Sequence, residues 1–182
     1  MQQKKSAFRE IAETVVIALL IALVIRTFVV QLYRVDGESM YPTLHHDNRL
    51  LVNKLVYRFR SPRAGEVVVL DDPANPGRQL VKRVIAVEGD EIEVQGQLVL
   101  IDGTPLSEPY TNPISEGVSA TEALTVPEGY VWVMGDNRGA SLDSRILGPV
   151  LTERVRGKAV ALFWPLGRIG EHGPLSFART YQ

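Results

Sequence analysis

Two segments of the sequence contain a hydroxyl and an amine that could act together as a nucleophile and its base. Ser39 lies in the segment GESMYPTL (37–44), a few residues after an apolar N-terminal stretch, and Lys82 lies in the apolar run LVKRVIAV (80–87). A serine hydroxyl becomes a strong nucleophile when a neighbouring base removes its proton, and a neutral lysine amine can be that base. The pair therefore predicts a membrane-tethered hydrolase with a Ser/Lys dyad.

The residues on either side of Ser39 favour a fixed position for its hydroxyl. A serine in a turn is usually solvated and inert, so Ser39 alone carries little weight. Gly37 permits backbone angles that other residues avoid, and Pro42 stiffens the chain just after the serine. This local pattern is a means of holding one hydroxyl and its amide in a constant direction.

Strand alternation does not tell which of two adjacent cations in the second segment is buried. It places Lys82 on the face of Leu80 and Val84, and Arg83 on the opposite face with Val81. Burial would lower the pKa of a lysine toward the range in which its amine can act as a base. An arginine effectively never loses its proton, so the base would have to be the lysine.

A third polar segment, MGDNRGASLDSR (134–145), begins at the end of a predicted strand and allows two interpretations. In the simpler one it is a polar turn in which Asp143 and Arg145 pair with each other, because a bidentate Asp/Arg contact commonly braces a loop. In the other it contributes to a site with Ser39 and Lys82. The residue pattern alone leaves both interpretations open.

The residue inventory argues against several other chemistries. The sequence has no cysteine, which excludes thiol catalysis, disulfides and thiolate metal sites. The histidines are His45, His46 and His172, and they lack the spacing of a metal-ligand motif. We therefore expect no metal and no cofactor. A net charge of −1 gives no reason to expect nucleic acid as a partner. Three lysines beyond the apolar stretch are candidates for a base: Lys54, Lys82 and Lys158.

Residues 11–30, IAETVVIALLIALVIRTFVV, form an apolar stretch that predicts a single membrane anchor. As a helix it would be about 30 Å long, the thickness of a hydrocarbon core. A cleaved secretory signal would end in a small-x-small site, which the following residues lack. A buried or interfacial helix of a soluble protein remains an alternative, because the uninterrupted apolar run is short. Lys4, Lys5 and Arg9 weakly favour an N-terminus on the inner side.

Beyond the anchor, the apolar pattern is that of a mostly β, antiparallel domain. Short runs rich in Val, Ile, Leu and Tyr are separated by Asp-Gly, Gly-Asp and Pro-Gly turns, with no convincing helix after Val30. Gln95 and Gly96 mark a hairpin. The predicted strands lie within 49–59, 66–70, 80–87, 91–101, 130–134 and 155–164.

These patterns divide the chain into three parts. Residues 1–10 form an N-terminal segment, residues 11–31 the anchor, and residues 32–182 a single β domain of ordinary size. Within that domain, residues 103–128 contain four prolines and several Ser, Thr and Glu residues. This composition predicts a long loop excursion between strands.

Together, the anchor and the ordered motifs resemble bacterial type I signal peptidases, membrane-bound Ser/Lys enzymes that remove signal peptides from exported preproteins. Each motif alone is modest, whereas the ordered set at this spacing is highly specific. The resemblance covers nearly the whole chain and is carried by GESMYPTL (37–44), GEVVVL (65–70), LVKRVIAVEGD (80–90) and GDNRGASLDSR (135–145).

The resemblance implies a role for each residue of the candidate site. Ser39 matches the nucleophile, Lys82 the general base, and Ser141 a serine whose hydroxyl orients that lysine. Asp143 and Arg145 match a pair that supports the site without taking part in bond cleavage. The family also implies an antiparallel β fold of the signal-peptidase type, with an apolar surface at the membrane.

The resemblance also implies the substrate and the cellular location. The substrates would be signal peptides with small side chains at the first and third residues before the cut, such as Ala-x-Ala. By motif position, four residues wall the pockets for these side chains: Val35, Met40, Leu44 and Val81. The family implies a single-pass protein of the bacterial cell membrane, in contact with membrane lipid. Its residues 1–10 would be cytoplasmic and its catalytic domain extracytoplasmic.

One position departs from well-described Gram-negative members of that family. They have a serine whose hydroxyl helps to bind the oxyanion, whereas this chain has Gly37, as many Gram-positive relatives do. The remaining donor would be the backbone N–H of Ser39. Loss of one oxyanion donor typically costs about 3 kcal/mol of transition-state stabilisation, so we expect a substitute.

Two other functions share parts of this pattern. A self-cleaving repressor-type Ser/Lys protease has the dyad on a related β fold, but it carries a DNA-binding helical domain where this chain has an apolar stretch. A catalytically inactive, membrane-anchored β module would bind exported segments without cutting them. Incubation with a preprotein separates these functions, because a peptidase yields a mature fragment in trans.

Overall fold

The N-terminal helix continues directly into the β domain. A computed structural model of the chain describes residues 7–111, 120–165 and 175. Helix α1 (Ala7–Val24) is followed by a wider π-helical turn (Ile25–Val29) and then by strand β1 (Val30–Arg34). Because no linker separates them, the end of the helix and the first strand form one continuous backbone path.

The helical segment has the length and composition of a membrane span. Among the described residues, one helical stretch is long and apolar enough to cross a membrane, the 21 residues Arg9–Val29, and its side chains are not buried against the domain. The predicted anchor, 11–31, therefore ends inside β1, because Val30 and Gln31 already pair with the next strand.

Beyond β1, ten further strands lie in the described part of the chain: β2 (Arg49–Asn53), β3 (Val67–Asp71), β4 (Gln79–Val87), β5 (Glu91–Gln95), β6 (Leu98–Ile101), β7 (Thr104–Pro105), β8 (Thr121–Thr125), β9 (Tyr130–Met134), β10 (Val150–Leu151) and β11 (Val155–Trp164). They form a seven-stranded sheet in the order β1-β2-β11-β3-β4-β9-β10 and a four-stranded sheet in the order β7-β6-β5-β8. All described pairings are antiparallel. The predicted mostly β, antiparallel fold is confirmed.

Strand β3 shows why the larger sheet forms around its centre. Val67 and Val69 pack in one hydrophobic cluster, and Val68 and Leu70 pack in another, so the strand is buried on both faces. A strand covered on both faces is encoded by a continuous apolar run rather than an alternating one. Full burial of each such side chain contributes roughly 1.5–3 kcal/mol. This burial fixes β3 against β4, the strand that carries Lys82.

The hairpin predicted at Gln95 and Gly96 is present, whereas the strand predicted within 49–59 is shorter. Gly96 has a positive φ of 62°, which suits the tight turn between β5 and β6. The Asn53 side chain accepts hydrogen bonds from the amides of Leu55 and Val56, at 2.9 and 3.2 Å. This local bonding turns the chain out of β2, and a 3₁₀ turn (Val56–Arg58) follows.

The stretch predicted as a loop excursion, 103–128, contains two strands in the structure. Strand β7 pairs with β6, and β8 pairs with β5. Most side chains of β8 are exposed, so its sequence lacks the alternation that would have predicted it. Residues 112–119 of this stretch lie outside the described part of the chain.

One short α-helix follows Val30 in the described part of the chain. Helix α2 (Ser144–Leu147) has four residues, too few to show a helical period in the sequence. Two further 3₁₀ turns, at Arg138–Ala140 and Thr152–Arg154, flank it. The segment containing α2 brings the third sequence motif against the loop that carries Ser39.

Candidate active site

Ser39 and Lys82 are brought into direct contact by two different elements. Ser39 lies in the loop between β1 and β2, and Lys82 lies in β4. The Lys82 Nζ donates a hydrogen bond of 2.7 Å to Ser39 Oγ. Because 43 residues separate the two in sequence, the contact is a product of the tertiary fold.

The loop that carries Ser39 is held by buried side chains on its far side. Met40 and Leu44 are 1% and 0% exposed, respectively, and pack in the cluster around Leu50 and Val52. The amide of Leu44 also donates to the Met40 carbonyl at 2.8 Å, which closes a turn. Met40, the residue after Ser39, is therefore fixed in the core, and this fixes the direction of Ser39.

Burial lowers the pKa of the Lys82 amine to about 8, below its usual 10.5. The residue is 2% exposed, and loss of water around the ammonium is the largest cause. The negative charges of Asp143 and Asp136 oppose this lowering, while the positive charges of Arg78 and Arg145 add to it. A substantial fraction of the amine is therefore neutral near pH 8, as a general base requires.

Ser39 and Lys82 both open into a cleft of about 360 Å³. Its walls come from the chain before Ser39 and from the first half of β4, and they include Val35 and Val81, two of the predicted pocket residues. The other two, Met40 and Leu44, lie behind the loop in the core. The structure thus brings two of the four residues to the cleft, and the other two support the loop that borders it.

Gly135 allows the third motif to approach the loop that carries Ser39 closely. A Cβ atom at this position would lie 2.3 Å from the Ser39 carbonyl oxygen and 2.3 Å from Ser141 Oγ, closer than real Cβ contacts. The amide of Asn137 then donates to the Ser39 carbonyl at 3.1 Å, and its side-chain amide donates to the Glu38 carbonyl at 3.1 Å. These contacts join residues 135–138, GDNR, to the backbone on both sides of Ser39.

The Ser141 hydroxyl is buried beside this contact. By distance and angle, Ser141 Oγ makes no hydrogen bond within the described part of the chain, although its hydroxyl is near enough to Asp143 to lower the pKa of that carboxyl. A buried hydroxyl without a well-formed hydrogen bond is uncommon, because it costs free energy that a partner would recover. Its predicted role in orienting Lys82 stays a prediction.

Asp143 and Arg145 form the ion pair that the sequence suggested. Two hydrogen bonds of 2.8 Å join the Arg145 guanidinium to the two oxygens of Asp143, which also accepts one from the Gly135 amide at 3.0 Å. Burial alone would raise the pKa of Asp143, but Arg145 and these hydrogen bonds lower it overall. Asp143 also caps α2 by accepting from the Arg145 amide. The pair therefore braces the loop at Gly135.

A second buried ion pair was not predicted from the sequence. Arg83 is 0% exposed, and its guanidinium donates to both oxygens of Asp136, at 2.9 and 2.7 Å. Thr43 donates its hydroxyl to the same carboxylate at 2.5 Å, and the guanidinium lies 4.0 Å from the centre of the Tyr110 ring. Strand alternation missed this pair because both faces of β4 are buried. An arginine in an apolar run requires a buried acid, and Asp136 in the GDNR segment was the available signal.

The backbone amide of Ser39 is the candidate oxyanion donor that the sequence suggested. It makes no hydrogen bond to any described residue, whereas the amide of Gly37 donates to His46 Nδ1 at 3.1 Å. The candidate oxyanion donor expected at Ser39 is thus available. The Gly37 amide is occupied in this state.

Comparisons with known proteins show the family of the chain. A family described as "Signal peptidase, peptidase S26" matches residues 8–164. The chain is 38% identical over 176 residues to a signal peptidase I of Leptolyngbya laminosa, covering 93% of this chain and 86% of the relative. It is 37% identical over 179 residues to a signal peptidase I of Bacillus licheniformis, covering 91% and 94%. A crystal structure of a signal peptidase I from Enterococcus faecalis is 29% identical, covers 56% of this chain and 98% of its own, and gives a TM-score of 0.48.

Proposed function

Because the chain belongs to the peptidase S26 family of signal peptidases, and so is a signal peptide-cleaving serine peptidase, we propose that Ser39 and Lys82 are its catalytic dyad. The observation that carries this proposal is the 2.7 Å contact between Lys82 Nζ and Ser39 Oγ, at the wall of a cleft. The lowered pKa of Lys82, about 8, supports it, because the amine must be neutral to accept a proton.

In the first half of the reaction, neutral Lys82 removes the hydroxyl proton of Ser39 while Oγ attacks the carbonyl carbon at the signal-peptide junction. The C–N bond of the tetrahedral intermediate then breaks, and Lys82 passes the proton to the leaving amine. This leaves the signal peptide as an ester on Ser39. In the second half, Lys82 takes a proton from a water molecule that attacks the ester, and then returns it to Ser39 Oγ.

The backbone N–H of Ser39 stabilises the negative oxygen of the tetrahedral intermediate. Its freedom from other hydrogen bonds among the described residues supports this role. Since Gly37 has no side-chain hydroxyl, a second donor must be another amide or a water molecule. One such donor typically contributes about 3 kcal/mol to transition-state stabilisation.

The residues behind the dyad act by positioning it. The buried Ser141 hydroxyl orients the Lys82 amine toward Ser39, a role that would also satisfy its hydrogen-bonding capacity. Asp143 and Arg145 hold the loop around Gly135 by their bidentate contact and take no part in proton transfer. The Gly135 backbone lies between the Asp143–Arg145 pair and the Ser39 carbonyl.

The cleft binds the residues before the cut as an extended segment. Val35 and Val81 face the small side chains of the substrate, and Met40 and Leu44 support these walls from the core. These two valines limit the size of the side chains that fit beside the dyad. This restriction is the expected cause of a preference for Ala-x-Ala sequences.

The N-terminal helix anchors the enzyme in the bacterial cell membrane, with residues 1–10 cytoplasmic and the β domain extracytoplasmic. Exposed apolar residues where α1 meets the domain support this anchoring, among them Phe28, Leu32 and Phe163. Anchoring keeps the dyad near the substrate's own membrane segment. Both molecules then search in two dimensions, which raises their effective concentration.

The test is cleavage of a preprotein by the full chain in vesicles, followed by N-terminal sequencing of the product. Ser39→Ala should lower the rate at least about ten-thousandfold, because the nucleophile is gone. Ser61→Ala, which removes an exposed hydroxyl outside the cleft, should cleave at the wild-type rate. Cleavage by Ser39→Ala near the wild-type rate would overturn the dyad, and a product cut at another position would overturn the substrate assignment.

A further inference from the structure

A second concave surface lies where the N-terminal helix meets the β domain, apart from the active-site cleft. It is a groove of about 810 Å³ between the last helical turns, the edge strand pair β1–β2 and the end of β11. Its apolar walls include Val30, Leu32, Leu51 and Phe163. The dyad faces the other cleft, so the proposed reaction leaves this groove without a function.

Two cations line the groove. Arg26 comes from the π-helical turn and Lys54 from the residue after β2. Within the described part of the chain, neither forms an ion pair, and no Asp or Glu is among the groove's lining residues. Lys54 Nζ donates one hydrogen bond, to the Thr27 carbonyl at 2.7 Å, so its ammonium has donors left for another acceptor.

The groove lies at the level where the proposed anchor would leave the hydrocarbon. The apolar helical stretch ends at Val29, and the groove begins within its last two turns. Large apolar side chains around it are exposed, including Phe28, Phe163 and Trp164. Aromatic and cationic side chains at the end of a span are typical of the depth of lipid headgroups.

We propose that this groove binds an anionic membrane phospholipid, with Arg26 and Lys54 contacting the phosphate and an acyl chain lying against Leu51 and Phe163. The proposal rests on the membrane anchoring given under the proposed function. Its basis is the combination of an apolar wall with two cations that form no ion pair among the described residues, which matches the two parts of such a lipid. A bound lipid would brace the helix end against β2, because Lys54 would contact both the Thr27 carbonyl and the headgroup.

The two tryptophans of the chain provide a direct measurement. Trp164 directly follows Phe163, a residue of the groove wall, and is 48% exposed, whereas Trp132 is 3% exposed within the small-sheet core. The full chain is reconstituted in phosphatidylcholine vesicles containing a minor fraction of either brominated phosphatidylglycerol or brominated phosphatidylcholine. Bromine quenches tryptophan at short range, so the ratio of quenching by the two lipids measures preference for the anionic one at Trp164.

We expect stronger quenching by the anionic lipid in the wild type, and equal quenching by both lipids after Arg26→Gln with Lys54→Gln. Each cation should contribute roughly fivefold to the preference. Arg58→Gln is the matched control, because Arg58 is an exposed cation in the 3₁₀ turn after β2 and is not among the groove's lining residues. Arg26→Gln alone retains the Lys54–Thr27 contact, so it carries the test if the double variant misfolds.

Three results would overturn the proposal. The first is equal quenching by the two lipids in the wild type. The second is an equal loss of preference in Arg58→Gln, which would mean diffuse surface charge. The third is loss of the preference on adding inorganic phosphate, with chloride at matched ionic strength as control, which would mean a site for the free ion. Flotation of the vesicles shows whether the chain is anchored in the membrane. The measurements are repeated in Ser39→Ala, so that lipid binding is tested independently of catalysis.

Discussion

Lys82 and Arg83 are adjacent on β4 and about equally buried, yet their surroundings differ completely. The Arg83 guanidinium has a carboxylate bound through two hydrogen bonds, a backbone carbonyl acceptor at Gly65 and an aromatic ring beside it. The Lys82 ammonium contacts a neutral hydroxyl, and its nearest carboxylate partners act through space. Asp143, the stronger of these, is already engaged by Arg145.

This contrast shows how one strand can hold two cations for opposite purposes. A buried cation with a bidentate carboxylate partner keeps its charge and holds two segments together. A buried cation beside a neutral hydroxyl has its proton destabilised. For Lys82, lowering the pKa from 10.5 to about 8 favours the neutral amine by roughly 3 kcal/mol. Arginine suits the first environment and lysine the second, because their guanidinium and amine groups differ in the ease of losing a proton.

The largest effect on activity is expected from replacing Lys82 by arginine, the residue type of its neighbour. Lys82→Arg keeps the positive charge but cannot act as a base, so kcat/KM should fall at least about a thousandfold, close to the loss in Lys82→Ala. The measurement is cleavage of a peptide substrate by both variants after their secondary structure has been checked. An arginine variant that cleaves well would mean that Lys82 serves as an ion-pair partner.

Removing Arg83, the cation with a bidentate carboxylate partner, should lower stability more than any change at Lys82. Arg83→Met leaves Asp136 buried without a counter-charge, which should lower the free energy of unfolding by roughly 3–5 kcal/mol. Denaturant unfolding followed by the buried Trp132 gives the value, and Arg154→Met, at an exposed position, is the matched control. Equal stability of the two variants would show that the Arg83–Asp136 pair does not hold the fold.

Loss of the Asp143–Arg145 pair should lower the free energy of unfolding, as loss of the Arg83–Asp136 pair does, but by less. Asp143→Asn and Arg145→Met should each lower stability and activity, and the double variant should be less harmful than the sum by roughly 0.5–3 kcal/mol. The lowered pKa of Asp143 adds a pH signature. Its contribution is present above the ordinary value of 3.8 and is lost as the pH falls through the lower native value. Strictly additive losses would contradict the pairing.

The sequence predicted the strands and the Lys82 motif well because these depend on local apolar pattern. It did not resolve the burial of Arg83, because alternation can place only one of two neighbours on a buried face, and here the sheet is covered on both. Strand β8 was missed for the related reason that its side chains are mostly exposed. The 2.7 Å contact at Ser39 joins residues 43 apart, so no local pattern could have measured it.

A moderate effect is expected from admitting water to the Lys82 amine. Leu80 lines the cleft and shares its strand face with Lys82, so Leu80→Ser should hydrate the ammonium and raise its pKa. The acid limb of kcat/KM against pH, with a midpoint near 8 in the wild type, should then move toward 10.5. Val84→Ser removes a similar side chain from the same strand face beyond the cleft, and should shift the limb less. Equal shifts would mean that cleft water does not control this amine.

The smallest effect is expected from the charge of Arg78, which lowers the pKa of Lys82 from the cleft wall. Arg78→Gln removes this repulsion, so the acid limb should move to higher pH by less than one unit. The Arg78 side chain is exposed, and salt at about 0.1 M screens such charges beyond roughly 10 Å. The shift should therefore shrink as salt is added, whereas the shift from Leu80→Ser should persist, because burial is not screened. A salt-independent shift in Arg78→Gln would mean that Arg78 changes the hydration of Lys82 rather than its electrostatic field. The acid limb would then depend on the burial of Lys82 in Arg78→Gln, as it does in Leu80→Ser.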